Sequence, residues 1–272
     1  MVFFKTQSLL KDFGIVPNKK MGQNFMVDFS IFQKLSEYAS LLNIDTVLDC
    51  GAGLGFLTKF LAKRCKSVLA VEKDYNLIKI LKKQLKSFNN VSIIKGDLLT
   101  VDLPKFNKII SIPPYYLSSD LIQWLFRQKF NCAVMIMQDA FAKRLSASPN
   151  SDDYSWLTVF TQYYGKVDLL DVILPEKFYP KPDIASRIVR ITPLDSKFLK
   201  DDQLHLFNLF IKHLFVNRNK KLINPVHSFL KTKYNFSKIE TQKFLLSFSF
   251  REKRVRQLMV KNFGELFDAI PK

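Results

Sequence analysis

The sequence predicts an α/β fold in which a mostly parallel sheet is covered by helices and followed by a small α-helical C-terminal domain. Two observations carry that expectation. Short β-branched or apolar runs alternate with amphipathic segments from about residue 46 to 190, and the strand-like runs stop after Pro193. Strands alternating with helical patterns are the mark of a parallel sheet with helices on its faces.

The expected strands are TVLDC (46–50), SVLAVE (67–72), VSIIKGD (91–97), KIISI (108–112) and CAVMIMQ (132–138), with VDLLDVIL (167–174) and SRIVRIT (186–192) following. Between them, residues 76–88 place Leu77, Leu81 and Leu85 four apart while Lys79, Lys82, Lys83 and Lys86 fall elsewhere. That is the period of a helix with one apolar stripe. Beyond Pro193, segments such as 204–215 read as helices with aromatic faces, and Phe207, Phe210 and Phe215 fall at core spacing. The expected division is therefore a catalytic domain over 1–194 and a helical, basic domain over 195–272.

A chain of 272 residues that is 47% hydrophobic can bury a sizeable core. Its net charge of +18 points to a polyanionic partner, with a generally lysine-rich surface as the plainer alternative. Residues 197–272 carry 16 Lys and Arg against 6 Asp and Glu, so the excess is concentrated there. Cys50, Cys65 and Cys132 are too scattered for a disulfide framework or a zinc site, which suggests a reducing compartment. His205, His213 and His227 have no metal-ligand spacing, and no metal is expected. The first residues lack the pattern of a secretory or mitochondrial presequence, and no uncharged apolar run approaches the ~18 residues needed to span a bilayer. A soluble, cytoplasmic protein without membrane contact is expected.

The first strand runs into Asp49-Cys50-Gly51-Ala52-Gly53-Leu54-Gly55, with a helix expected from Phe56. Glycines at Gly51 and Gly53 suit a tight turn whose backbone approaches a nucleoside. A dinucleotide fingerprint would want a sixth-position glycine, and that position is Phe56. Glu72 closes the second strand, where an acid can accept from both hydroxyls of a ribose. Asp97 closes the third, where a carboxylate can accept from an adenine amino group while Leu98 packs beside the ring. Together these favour a Rossmann-like, S-adenosylmethionine-dependent methyltransferase fold over a dehydrogenase.

The fourth strand ends in Ser111-Ile112-Pro113-Pro114-Tyr115-Tyr116. This resembles the (Asn/Asp/Ser)-(Pro/Leu/Ile)-Pro-(Tyr/Phe) motif of methyltransferases acting on exocyclic amino nitrogens. The lone pair of such a nitrogen is delocalised into its ring. Acceptors fixed around the amino group aim the nitrogen at the methyl, and an aromatic ring, here Tyr115, stacks on the base. Methyl transfer needs in-line approach more than a strong base, so no catalytic His is required.

Over nearly its whole length the chain is similar to the small-subunit ribosomal RNA adenine N6,N6-dimethyltransferase family, the KsgA/Dim1 enzymes of bacterial or archaeal type. The matching stretches are KKMGQNFM (19–26), DCGAGLGFLT (49–58), AVEKD (70–74), IKGDLL (94–99), PPYYLSS (113–119), MQDAFAKRL (137–145) and FYPKPDIAS (178–186). The last two are the most distinctive. The resemblance implies methyl transfer to N6 of adenines in a 3′-terminal hairpin of small-subunit rRNA, on a pre-30S particle, by a monomer. It implies that Asn24 and Met26 line the cofactor pocket with Gly51, Gly53, Glu72, Asp97, Leu98, Ser111 and Ile112. It further implies that Ile112, Pro113, Pro114, Tyr115 and Phe178 form the reaction site, Phe178 sandwiching the adenine opposite Tyr115.

One departure stands out. Ile112 occupies the place where the family usually has Asn, so only the backbone carbonyls of Ile112 and Pro113, with the Ser111 hydroxyl beside them, remain as acceptors. Weaker orientation of the amino group, favouring one methyl over two, is the expectation. Lys19-Lys20, Arg218-Asn219-Lys220-Lys221 and the group Arg251, Lys253, Arg254 and Arg256 suit phosphate contacts, and each reads equally well as a solvated face. Two other readings stay open at this point: a large-subunit adenine methyltransferase of the macrolide-resistance type, and a ribosome assembly factor that has lost turnover.

Overall fold

The computed structural model describes residues 2–18, 21–194 and 201–270, with the side chains of residues 2, 3, 201 and 202 left aside. Lys19, Lys20 and the start of the expected second domain at 195–200 lie outside the described residues. The chain forms two compact units. One holds the chain up to Ala142 together with Val167–Pro193, and the other holds Lys143–Lys166 and the chain from Leu194 onward.

The first unit begins with helix α1 (Val2–Asp12), a short strand β1 (Phe25–Met26) and α2 (Phe29–Tyr38). Asp28 caps α2 by accepting from the Ser30 amide, leaving one fewer unpaired amide in its first turn. Five strands and their connecting helices follow: β2 (Thr46–Cys50), α3 (Phe56–Ala62), β3 (Ser67–Glu72), α4 (Tyr75–Gln84), β4 (Val91–Lys95), β5 (Lys108–Ser111), α5 (Ser118–Leu125) and β6 (Cys132–Gln138). Next come α6 (Asp139–Leu145), α7 (Trp156–Tyr164), β7 (Gly165–Ile173), a second short strand β8 (Phe178–Tyr179) and β9 (Ser186–Pro193).

A seven-stranded sheet has the order β4-β3-β2-β5-β6-β9-β7. The strands from β4 through β6 run parallel, and β9 returns antiparallel to β6. β2 and β3 are buried at every position after their first, and β5 throughout, because helices cover both faces of a parallel sheet. Their alternate residues supply two cores, which is why the runs read as continuously apolar rather than alternating. The strand and helix pattern expected from the sequence is present, with several ends moved: the strands expected to reach 97 and 112 stop at Lys95 and Ser111, and the one expected from 167 begins at Gly165. The helix expected over 76–88 ends at Gln84, where Leu85 leaves helical geometry (φ −107°, ψ 7°).

The second unit contains α7 together with α8 (Asp201–Val216), α9 (Ile223–Tyr234), α10 (Lys238–Leu246) and α11 (Val260–Asp268). Its core is aromatic: Phe207 and Phe210 are fully buried, Phe215 is buried, and Tyr163 stacks on Phe207 at 4.3 Å. Those rings, on either side of the first unit's last strands in sequence, explain why residues 143–166 group with the C-terminal helices. Gly264 lets α11 lie against α7, since a Cβ there would sit 2.5 Å from the Tyr163 ring. Ser237 and Glu240 close a capping box on α10.

At the amino ends of β2 and β5 a buried ion pair joins the two strands that carry the site described below. Lys108 Nζ lies 2.9 Å from Asp45 Oδ2, with side chains 9% and 3% exposed, and also donates to the Ser40 carbonyl. Asp45 accepts further from Asn107 Nδ2 at 2.6 Å and from the Leu42 amide at 2.7 Å. Burial pushes the Asp45 carboxyl up, but these bonds outweigh it and hold the group below its ordinary value. Removing one member of such a pair leaves a buried charge uncompensated, so Lys108→Met is expected to cost about 3–5 kcal/mol in urea denaturation. A loss below about 1 kcal/mol would show that the pair is not a clamp.

Candidate active site

A cleft opens at the carboxyl ends of β2, β3, β4 and β5, the place where parallel sheets bind ligands. It is lined by the glycine turn after β2, Glu72 at the end of β3 with Lys73 after it, Gly96, Asp97 and Leu98 after β4, and Ile112 through Leu117 after β5. Residues 21–26 complete the wall. Of the residues the sequence nominates, Asn24, Met26, Gly51, Gly53, Glu72, Asp97, Leu98, Ile112, Pro113, Pro114 and Tyr115 line this one cleft.

The turn after β2 has three glycines in the left-handed region: Gly51 (φ 77°), Gly53 (φ 57°) and Gly55 (φ 79°). At Gly51 the requirement is also steric. A Cβ would meet Pro114 Cδ at 2.9 Å, so the missing side chain is what admits the turn after β5. The ladder between β2 and β5 is registered at Val47 and Leu48. Farther along, the buried Ser111 hydroxyl takes over, accepting from the Cys50 amide at 3.0 Å and donating to the Cys50 carbonyl at 2.7 Å.

Three carboxylates surround the turn, two raised by burial and one lowered by its partners. Asp49 is buried and accepts from Thr58 Oγ1 at 2.7 Å; burial, opposed by that bond and reinforced by the charge of Glu72, pushes its pKa up to about 7. Glu72 is raised by burial, although three backbone amides bind it: Gly53 on Oε2, Lys73 and Asp74 on Oε1, each at 2.8 Å. A carboxylate offers about four acceptor positions. Three are spent shaping the loops, which leaves capacity for one further hydroxyl rather than two. Asp97 is more open, and Lys73 Nζ at 2.8 Å together with the Leu99 amide at 3.1 Å holds it below its ordinary value.

The wall formed by residues 21–26 is tied down at both ends. Gln23 Nε2 donates to Asp74 Oδ2 at 2.8 Å, and β1 pairs antiparallel with β8. Phe25 presses its ring toward Gly53, where a Cβ would come within 3.4 Å of it. Sequence reasoning missed Gln23, Phe25, Lys73 and Tyr116 as cleft residues. Only the aromatic character of Phe25 and Tyr116 hinted at a role; the Gln23 link spans 51 positions and leaves no local trace.

Two nominated residues are placed differently from expectation. Ser111 does not line the cleft: it is fully buried, and its hydroxyl is turned to the Cys50 amide and carbonyl. Phe178 is 2% exposed and packs in the core, with Met26 as its partner across the β1–β8 pair, so its ring is not part of the cleft wall. Tyr115 does line the cleft, and its hydroxyl lies 2.6 Å from Ser186 Oγ. Burial, partly offset by that bond, pushes the phenol up to about 12.

In the second unit, two basic stretches 30 residues apart in sequence run side by side. Leu222 donates to the Lys253 carbonyl at 2.9 Å, Arg256 donates to the Arg218 carbonyl at 3.0 Å, and Lys221 bridges Arg254. Lys220, Lys221, Arg251, Lys253 and Arg254 are exposed. Arg218 and Arg256 are half-buried and spend their guanidinium groups on the loop at Asn150, Asp152 and Tyr154. No helix of the described residues is long and apolar enough to cross a membrane.

Two stability measurements check this geometry. The native Asp49 carboxyl keeps its proton to about pH 7 whereas the unfolded one releases it near 3.8. The folded state therefore binds the extra proton, and stability falls as pH rises between those values. Asp49→Asn is expected to flatten that fall in urea midpoints measured across the range; an unchanged slope would refute the assignment. Gly14 (φ 61°) has open space where a Cβ would stand, unlike Gly51. Gly14→Ala is expected to pay the left-handed backbone cost alone, about 1–2 kcal/mol. Gly51→Ala should pay about 1–3 kcal/mol more for overpacking against Pro114. Equal losses would mean that the Pro114 contact is slack.

The model of the ribosomal RNA adenine dimethylase family matches residues 16–266. Over 269 residues the chain is 35% identical to a probable ribosomal RNA small subunit methyltransferase A from Thermococcus sibiricus, covering 97% of this chain and 96% of that one. It is 40% identical to the protein of the same name from Pyrococcus abyssi over 212 residues, covering 78% and 76%. The crystal structure of a dimethyladenosine transferase from Plasmodium falciparum superposes with a TM-score of 0.80 at 28% identity, covering 89% of this chain and 95% of that one. With its glycine turn, its strand-end acids and its Pro-Pro-Tyr turn gathered in one cleft, the chain belongs to the ribosomal RNA adenine dimethylase family.

Proposed function

We propose that the protein is an S-adenosylmethionine-dependent methyltransferase acting on N6 of adenines in small-subunit ribosomal RNA. The observation that carries this reading is the contact between the glycine turn and the Pro114 ring, which joins a nucleoside-binding turn to an amino-group motif across 63 positions. The likeness to small-subunit methyltransferases over nearly the whole chain supports the choice of RNA.

The residues present suit the cofactor. The glycine turn offers backbone without side chains, Glu72 keeps one acceptor position for a ribose hydroxyl, and Leu98 provides an apolar wall beside Asp97. The Lys73 contact to Asp97 joins groups 57% and 31% exposed, a pairing weak enough to yield to an adenine amino group. Asn24 and Met26 close the pocket from the opposite wall. When bound, S-adenosylmethionine supplies an electrophilic methyl group on a sulfonium.

The chain's own work is orientation. The backbone carbonyls of Ile112 and Pro113 accept the amino hydrogens of the target adenine, and Pro114 holds that turn against Gly51. Tyr115 offers the ring on which the base stacks. Phe178, buried beside Met26, is assigned to holding the wall rather than to stacking on the base. Ile112 brings no side-chain acceptor, so the amino group is held by backbone alone. The exposed basic residues of the second unit, with Lys19 and Lys20, take the RNA phosphates, which orient without reading sequence. We place the reaction on a pre-30S particle in the cytoplasm, with the protein acting as a monomer. We divide the work between a catalytic part over 1–194 and a basic, RNA-contacting part over 195–272.

The test supplies labelled S-adenosylmethionine with undermethylated small or large subunits and maps the label by mass spectrometry of nucleosides. Label on small-subunit adenines, with a monomethyl fraction that persists because Ile112 orients weakly, is expected. Label on large subunits alone, or none despite cofactor binding, would overturn the reading. Complete dimethylation at an ordinary rate would overturn the role given to Ile112.

A further inference from the structure

The two most distinctive stretches of the sequence, residues 137–145 and 178–186, supply none of the residues lining the cleft among those described. They meet nonetheless. Ser186, the last residue of the second stretch, opens β9 opposite Gln138. The Asp139 amide donates to the Ala185 carbonyl at 3.0 Å on one side of it. On the other, Arg187 Nε bonds Asp139 Oδ1 at 2.5 Å while its Nη1 donates to the Leu170 carbonyl at 2.9 Å. Ser186 itself is fully buried. Its backbone is thus fixed by β6 and by an ion pair, and its hydroxyl points at one cleft residue, Tyr115, 2.6 Å from the phenol oxygen.

We propose that Ser186 is a positioning residue whose bond to the Tyr115 hydroxyl fixes the plane of the ring on which the target base stacks. The inference rests on the reading of the cleft as a site of methyl transfer to a base. The near end of Tyr115 is already held, because Ser118 Oγ donates to its carbonyl at 2.7 Å. A ring held only there still swings about two side-chain torsions. Bonding at the far end removes that freedom, and the base stacked on the ring inherits its tilt. In-line transfer is sensitive to such tilt, a displacement of about 1 Å costing up to about a hundredfold in rate. The two distinctive stretches thereby serve as the brace of an aromatic residue that lies outside both.

The test compares wild type, Ser186→Ala, Tyr115→Phe and the double variant, reading kcat and KM with small-subunit RNA and the affinity for S-adenosylhomocysteine. Ser186→Ala is expected to lower kcat about tenfold or more while leaving cofactor affinity unchanged. Tyr115→Phe removes the same bond from its other end, so it should lose a similar factor, and the double variant should lose no more than either single one. Unchanged kcat in Ser186→Ala, or losses that multiply in the double variant, would overturn the inference. Should Ser186→Ala fail to fold, Tyr115→Phe carries the same decision, and full kcat in it overturns the inference. A wild type active on RNA alongside a fully active Ser186→Ala defeats this inference alone; a wild type inert on RNA defeats the reading of the cleft and this inference with it.

Discussion

The contact on which the rest of the site depends is the junction of β2 and β5, where Pro114 lies in the space that a side chain on Gly51 would fill. The glycine turn and the Pro-Pro-Tyr turn belong to separate strands, and each could approach a ligand without the other. Two features bring them together. The Ser111 hydroxyl satisfies both the amide and the carbonyl of Cys50, continuing the pairing of the strands to their carboxyl ends. Gly51 then accepts a left-handed backbone that costs other residues about 1–2 kcal/mol, and in exchange the proline ring closes on the turn. At the opposite ends of the same strands, Lys108 and Asp45 hold the register.

The acids around this junction illustrate how one residue type serves several ends. Burial raises Asp49 and Glu72, while Asp97, closer to water and bonded to Lys73, is lowered. Glu72 holds three backbone amides, so it shapes the loops before it meets any ligand. Such preorganisation means that binding does not have to pay for ordering the loops. A cationic cofactor entering beside two buried carboxyl groups would favour their ionised forms, which ties affinity for it to the state of Asp49.

Much of this was legible in the sequence, for physical reasons. Strands buried on both faces appear as short apolar runs, and the helices between them keep their period because one face is wet. The glycine turn could be read because left-handed backbone and close approach both select glycine. The acid at each strand end could be read because the carboxyl edge of the sheet is fixed by the strand pattern. What could not be read depends on partners distant in the chain. The Ser111 hydroxyl looked available until β2 was placed beside it, and Phe178 looked like a stacking ring, whereas it is buried in the core beside Met26. The Gln23 amide and the Asp74 carboxylate gave no sign of meeting. The basic stretches at 218–221 and 251–256 read as separate clusters, suited to phosphate contacts or to solvated faces alike, and only the fold of the second unit sets them side by side.

The central claim is that a single cleft, closed by the Gly51 and Pro114 contact, holds both the methyl donor and the base that receives it. A crystal structure of the protein with S-adenosylhomocysteine tests this most directly. The ligand is expected along the glycine turn, its ribose at Glu72, its adenine beside Asp97 and Leu98, and its sulfur facing the turn from Ile112 to Tyr115. A ligand bound elsewhere, or one whose sulfur faces away from that turn, would contradict it.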